Sequence, residues 1–479
     1  MVERILVPFH GEGEGVGELT WAQIGLWEGM VVAGRSVTMS GSAPVPPGAT
    51  VEQLADLLGF IVGRHQALRT RLRFRGVGTP LQVCVTSGEV PLEIVDTDGD
   101  PVEAARTIEA RYKEVDFDYE TEFPIRMAVI RRDGAPAYMV AVYLHTVLDA
   151  GGLTALLNDM FSRDPVTGAP AAPVTAIQPL EQARRQHSGS GRRQSDAAMV
   201  YLDHALRTMH PSQFGAPRHP DRGIRMIRYR SPATALAVER IAVQERLNTS
   251  SVLLAVFAVA VARHTRIGQV MAMLMVGNRF RPGFADSVSP LVQLSPYLID
   301  VGGVSLRDAA ERARTSVFNA YKNAYYDPFA QEAVIERVKA DRGDIDYSCV
   351  YNDRRQQDRD PVLRKPASDD EILAALPLAE HDWLYRPAMS SRRLFLTVED
   401  GPAAVDFLMT ADTRFFSDDD MVALTESFEN VAVQTALDPT QPTGVDARSP
   451  MAVGAATTGS CLDPPESADH YQSRGVNLP

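Results

Sequence analysis

Cysteine is scarce: the 479 residues hold three, Cys84, Cys349 and Cys461, far apart and in no C-x-x-C spacing. Such a pattern points to neither a disulfide framework nor a thiolate metal site, and a reducing, cytoplasmic setting fits it. Basic excess is missing as well. With 48 Lys and Arg against 61 Asp and Glu, the formal net charge is −13, which supplies no general means of releasing counterions from phosphates, so nucleic acid is not expected as a partner. Long apolar runs are also lacking. The most apolar stretch, 252–261, is soon interrupted by Arg263 and falls short of the ~20 residues that cross a bilayer. The opening MVERILVPFHGEGEG has no basic segment followed by an apolar run, so neither an export signal nor a membrane span is expected.

What is present is an ordinary globular composition, 45% hydrophobic and 23% charged, spread over more residues than one core usually supports. Two lobes are expected, over 1–175 and 176–445, with 446–479 as a flexible tail rich in small and polar residues. Helical and extended patterns alternate throughout, which indicates an α/β fold. ELTWAQIGLWEGM (18–30) reads as a helix capped by Thr20, with Trp21 and Trp27 as core residues, and VEQLADLLGFIVGR (51–64) as a second. AYMVAVYLH (137–145) is a buried strand ending at His145, and a Gly-bearing turn then leads into the helix LTALLNDMF. Residues 162–196, with QHSGSGRRQS, read as a linker whose Arg184, Arg185, Arg192 and Arg193 are solvated. In the second half, TSSVLLAVFAVAVARHT (249–265) is apolar on all sides and so predicts a buried helix. RRLFLTVEDG with AAVDFLMTA predicts a hairpin, and Ser417 caps a final helix.

His145 and Asp149 form H-x-x-x-D at the strand end. An imidazole there, with its ordinary pKa of about 6.5, can take a proton from an attacking amine or hydroxyl. The same two residues equally fit a hydrogen-bonded strand terminus and a plain helix N-cap.

Several segments, in order, resemble the condensation domains of nonribosomal peptide synthetases. LTWAQIGLW (19–27) resembles the opening S/T-x-A-Q-x-x-x-W motif, RHQALRT (64–70) the R-H-x-x-L-R-T motif, and DFDYETEFPIR (116–126) the F-D-x-x-x-x-P-x-R segment. LHTVLDAGG (144–152) falls where the family has H-H-x-x-x-D-G. VGNRFRP (276–282), YDPFAQEAV (326–334) and DYSCVYND (346–353) are similar to later motifs. The resemblance implies two chloramphenicol-acetyltransferase-like lobes in a V-shaped arrangement around a central tunnel. It implies acyl transfer to an amine or alcohol from a phosphopantetheine thioester on a peptidyl or acyl carrier protein, or from coenzyme A, with no permanently bound cofactor and no metal. On this reading His145 is the catalytic base, Asp149 and Arg279 are a supporting ion pair, and Ala150, Gly151 and Gly152 form the motif loop. Tyr351 and Asn352 approach the tunnel. Arg281 would replace Arg279 as the partner of Asp149 under a shifted register. His65, Arg64 and Arg69 brace the lobe.

Two departures stand out. The family's first motif histidine is Leu144 here, and strand alternation predicts that Leu144 packs while His145 faces the cleft. The motif glycine is Ala150, whose methyl could crowd the loop. A catalytically silent domain that recruits a partner enzyme or carrier is therefore the alternative, as is a coenzyme A-dependent enzyme of the same superfamily. A heterocyclising enzyme is disfavoured, because that subtype carries Asp where His145 stands. No carrier-type serine motif or adenylation segment is visible, so a stand-alone protein is expected.

Overall fold

The computed structural model describes residues 2–76, 78–164, 167–220, 223–355, 365–385 and 392–447. The expected tail lies outside these residues except for Asp446 and Ala447.

The first half contains strands β1 (Val2–His10), β2 (Gly15–Glu18), β3 (Thr38–Pro44), β4 (Thr70–Arg73), β5 (Leu81–Cys84), β6 (Ser87–Asp96), β7 (Ile125–Arg132) and β8 (Ala135–Leu144). Its helices are α1 (Trp21–Ala33), α2 (Val51–Arg64), α3 (Pro101–Glu114) and α4 (Ala150–Phe161). Helices α5 (Pro179–Gln186) and α6 (Gly189–Thr208) follow. The second half holds β9 (Ile224–Ser231), α7 (Pro232–Glu245), α8 (Thr249–Thr265), β10 (Gln269–Val276), β11 (Gln293–Asp300), α9 (Leu306–Lys322), α10 (Pro328–Arg342), β12 (Cys349–Asp353), α11 (Asp369–Ala375), β13 (Glu380–Leu384), β14 (Leu394–Gly401), β15 (Ala404–Asp412) and α12 (Asp418–Leu437).

The first sheet runs β1-β6-β7-β8-β3, with β6 and β7 parallel because α3 crosses over between them. Alternation along β8 divides its side chains. Ala141 and Tyr143 join the core under α2 and α4, whereas Val140, Val142 and Leu144 join Trp21, Ile108 and Tyr112 under α1 and α3. Leu144 is thus held by packing on the α1 side. The second sheet runs β11-β10-β12-β14-β15-β9-β13, and a small sheet β2-β5-β4 flanks the first. One face of the second sheet packs on α7, α8, α9 and α12; the other meets α6 and α10. Helix α8 is buried along nearly its whole length, as its unbroken apolar character predicts. No single helix among the described residues is long and apolar enough to cross a membrane.

Three features differ from the sequence reading. The opening is a strand, β1, paired along its full length with β6. An edge strand, β3, completes the sheet beside β8. The segment expected as a linker holds α5 and the start of α6. Ser188 caps α6 through the Gly191 N–H, and a side chain on Gly191 would strike the Gln186 carbonyl. Its glycines therefore permit a tight helix-to-helix corner, where composition alone suggested flexibility. Arg184, Arg185, Arg192 and Arg193 are exposed on these helices.

The inner faces of this segment are stitched to both halves. Gln178 accepts from the Gln66 N–H and Gln186 from the Trp21 N–H, while Gln82 donates to the Pro179 carbonyl. On the other side the Ile177 N–H donates to Gly283, and Ser287 donates back to the Ile177 carbonyl.

Candidate active site

His145 begins the turn after β8. Its N–H donates to Val37 O at 2.9 Å, which fastens the turn to the chain just before β3. Its ring Nδ1 lies 3.0 Å from Leu148 O. A carbonyl oxygen only accepts, so Nδ1 carries a proton, and in the neutral ring Nε2 presents the lone pair. Nε2 has no partner among the described residues, and the ring is only partly buried. The two neighbours of the ring behave differently: Leu144 and Thr146 are buried. Both line a small pocket with Gln23, Arg71 and Tyr119, and His145 does not.

Four donors surround the buried Asp149 carboxylate. Oδ1 accepts from Gly152 N at 2.7 Å, as the N-cap of α4, and from Arg279 Nη2 at 2.6 Å. Oδ2 accepts from the backbone N–H groups of Leu291 and Val292 at 2.7 and 3.2 Å. The capping role and the ion-pair role are thus both filled, by different lone pairs of one side chain. Three of the four donors come from the loop between β10 and β11, so this single carboxylate binds the histidine turn to the second half of the chain.

Arg279 organises that loop. Beyond Asp149 it donates to Ser287 O at 2.8 Å and to Ser289 O at 3.1 Å. Arg281 points elsewhere, donating to Asn278 Oδ1 and to Lys322 O; Arg279 alone meets Asp149. Asn278 was not singled out in the sequence. It sits at φ +56 and is buried, and its side-chain amide donates to Leu291 O at 2.9 Å and Ala324 O at 2.7 Å. The legible signal was an Asn in a Gly-Asn pair directly after a strand, a frequent left-handed position.

The motif glycines have unequal duties. Ala150 is exposed at the first helical position and its φ is not positive; its methyl crowds nothing in the loop. Gly151 is the constrained position, because a Cβ there would collide with Arg279 Nε and come within 2.7 Å of its Cδ. Gly152 has less room than Ala150 too, with Ser289 O at 3.1 Å from a Cβ.

Tyr351 and Asn352 part company. Tyr351 is 2% exposed, in the helix-side core of the second sheet, with its ring 5.2 Å from that of Phe257. It is a core residue, because odd positions of β12 turn toward α8. Asn352, half-buried, is on the opposite face.

The bracing residues are clear. Arg64 and the buried His65 both hold Asp159 of α4, at 2.6 and 3.0 Å. Burial opposes the Asp159 charge, yet the hydrogen bonds from His65 and Arg64 outweigh it and hold the carboxyl down at about 2. Arg69 is 1% exposed and donates to the carbonyls of Glu12, Gly13, Gly63 and Val85.

The Condensation domain family matches residues 14–444. Among curated proteins, the phosphinothricin tripeptide synthetase PhsC of Streptomyces viridochromogenes is 25% identical over 389 residues, covering 76% of this chain and 35% of PhsC. The probable non-canonical nonribosomal peptide synthetase CymA of Salinispora arenicola is 28% identical over 144 residues, 30% of this chain and 2% of CymA. The chain spans about a third of the length of the first of these relatives and far less of the second. Among solved structures, SgcC5 from Streptomyces globisporus superposes with TM-score 0.61 at 19% identity, covering 89% of this chain and all of that one. The condensation domain mediating chain release from the enacyloxin polyketide synthase gives 0.65 at 16%, over 92% and 86% of the two chains. The X-domain from teicoplanin biosynthesis gives 0.64 at 15%, over 90% and 97%. The two-lobed α/β fold and the match across nearly the whole chain lead to one statement of kinship: this protein belongs to the condensation-domain family.

Proposed function

We propose that the chain is a condensation-type acyltransferase, moving an acyl or aminoacyl group from the phosphopantetheine thioester of a carrier protein to the amine or alcohol of a small acceptor, with His145 as base. The observation that carries this reading is the state of the imidazole: Nδ1 is committed to Leu148 O, and Nε2 is left as an unpartnered lone pair at the strand end. A thioester is already activated, so the chemistry asks for proximity, a base and donors for the oxyanion. The acceptor lone pair attacks the thioester carbon while Nε2 takes its proton. The tetrahedral adduct then collapses, and the departing thiolate takes that proton back. The N–H groups of Ala150 and Gly151, which Asp149 does not cap, are the candidates for meeting the oxyanion.

That relatives are named as peptide synthetases supports amide formation. Recruitment of a partner is the second reading. It is favoured by Leu144 in place of the first motif histidine and by likeness to the teicoplanin X-domain, solved also in complex with OxyB.

The test supplies acyl-loaded carrier protein or acyl-coenzyme A, with amines and alcohols, to wild type and His145→Ala. Turnover is expected to fall by about 10²–10⁴-fold with an unchanged near-ultraviolet circular dichroism spectrum. Equal turnover in the two proteins would refute the base.

A further inference from the structure

The loop that grips Asp149 has an outer side. Phe280, next in sequence to Arg279, is 59% exposed, and its ring stacks on Tyr321 of α9 with centroids 6.0 Å apart. One turn before Tyr321, Phe318 is 69% exposed. Phe280, Tyr321 and Phe318 thus follow one another along the loop and the helix face, and contiguous exposed apolar patches of this kind mark interaction sites.

The rim of this ledge is cationic. Arg281 lies 5.4 Å from the Phe280 ring centroid and 4.8 Å from that of Tyr325. It hydrogen-bonds only neutral groups, Asn278 and Lys322 O, and meets no carboxylate among the described residues. Helix α5 packs on the same loop, the Ile177 N–H donating to Gly283 O and the Ser289 hydroxyl to Gln182 of α5; on its exposed side Arg185 pairs with Glu181, whereas Arg184, Arg192 and Arg193 are exposed without an acidic partner among the described residues. Between Asn278 and Val292 the sequence holds one acid, Asp286. On a protein of net charge −13, this is a local reversal of sign, the arrangement that steers and orients a partner of opposite charge.

We propose that this ledge is the resting place of a carrier protein, whose acidic surface meets the arginines while an apolar side chain seats on Phe280 and Phe318. The inference rests on the reading of the chain as a carrier-dependent acyltransferase. A second copy of this chain fits poorly, because it would bring the same arginines to the same arginines in a two-fold contact. The position also has a mechanical consequence. The peptide that presents Phe280 is continuous with Arg279, so a partner pressing on the ledge acts on the residue that holds Asp149 and, through it, the His145 turn.

The experiment titrates full-length protein into holo acyl carrier protein and holo peptidyl carrier protein, each of net negative charge and labelled on its pantetheine arm, with anisotropy as readout. Arg184→Glu/Arg185→Glu and, independently, Phe318→Ser are each expected to raise Kd about tenfold; wild-type binding weakens with added salt. Arg106→Glu, exposed on α3, serves as the charge control and is expected to bind as wild type. The proposal is overturned if wild type binds neither carrier, if the ledge variants bind like wild type, if Arg106→Glu is equally impaired, or if the variants instead abolish self-association of wild type. Turnover of an acyl-pantetheine lacking any carrier separates docking from chemistry. Ledge variants are expected to keep it within about twofold and His145→Ala to lose it, so a failed base and a failed docking surface give different results.

Discussion

Arg279 Nη2 and Asp149 Oδ1 are 2.6 Å apart, across 130 residues of sequence, with the carboxylate the more deeply buried of the two. The pair is asymmetric in its dependencies. Removing Arg279 leaves Asp149 with three backbone donors; removing Asp149 strands the Leu291 and Val292 N–H groups, uncaps α4 and leaves the guanidinium facing no anion. Asp149→Ala is therefore expected to cost about 3–5 kcal/mol, and Arg279→Ala less, in chemical denaturation of the two variants. A larger loss for Arg279→Ala would contradict this division of labour.

The motif glycines give a contrast of a different kind. Gly151→Ala must displace the Arg279 side chain, so it is expected to lower acyl transfer more than about tenfold, with a smaller effect on unfolding. Ala150→Gly restores the family residue at an exposed first helical position and is expected to leave the rate within about twofold and to cost under about 1 kcal/mol. Parallel kinetics and thermal melts of the two variants separate these outcomes.

How much of this was legible in the residues is instructive. The strand leading to His145 followed from its β-branched and aromatic residues, and the cap at Asp149 and the choice of Arg279 over Arg281 from side-chain identity, because those two interactions are made by side chains. What stayed hidden was made by backbone. Nothing in the letters of Leu291 and Val292 announces that their N–H groups hold Asp149. The Leu148 carbonyl that sets the His145 tautomer is equally silent. Tyr351 and Asn352 could not be told apart without the sheet's orientation, since alternation fixes that they differ but not which one faces inward. The Ser162–Asp196 region misled because Gly and Ser weigh as linker residues in composition, while Ser188 is a cap and Gly191 fits where no side chain can.

Acid stability is expected to depend on Asp159. Its carboxyl is held at about 2, burial being outweighed by His65 and Arg64. A depressed carboxylate adds stability that is complete above the unfolded value, about 4, and lost as pH falls through the folded one. Acid unfolding between about pH 4 and pH 2 should accordingly flatten in Asp159→Asn, with about 1–2 kcal/mol lost at neutral pH after allowance for solvent screening. A variant whose acid limb overlays wild type would remove Asp159 from this role.

The last expectation concerns a buried cation that meets no carboxylate among the described residues. Arg69 is buried among the carbonyls of Glu12, Gly13, Gly63 and Val85, so it ties the chain after β1, the end of α2 and the turn after β5 to one planar group. Gly63 admits this convergence, because a Cβ there would strike the His10 carbonyl. A lysine ammonium keeps the charge but lacks the fork that reaches separated acceptors. Arg69→Lys is expected to cost about 2–4 kcal/mol and Arg69→Ala more, since all four carbonyls then lose their guanidinium donor. Hydrogen exchange should show the loss concentrated in β1 and α2. If Arg69→Lys melts with wild type, charge alone suffices there and the geometric argument fails.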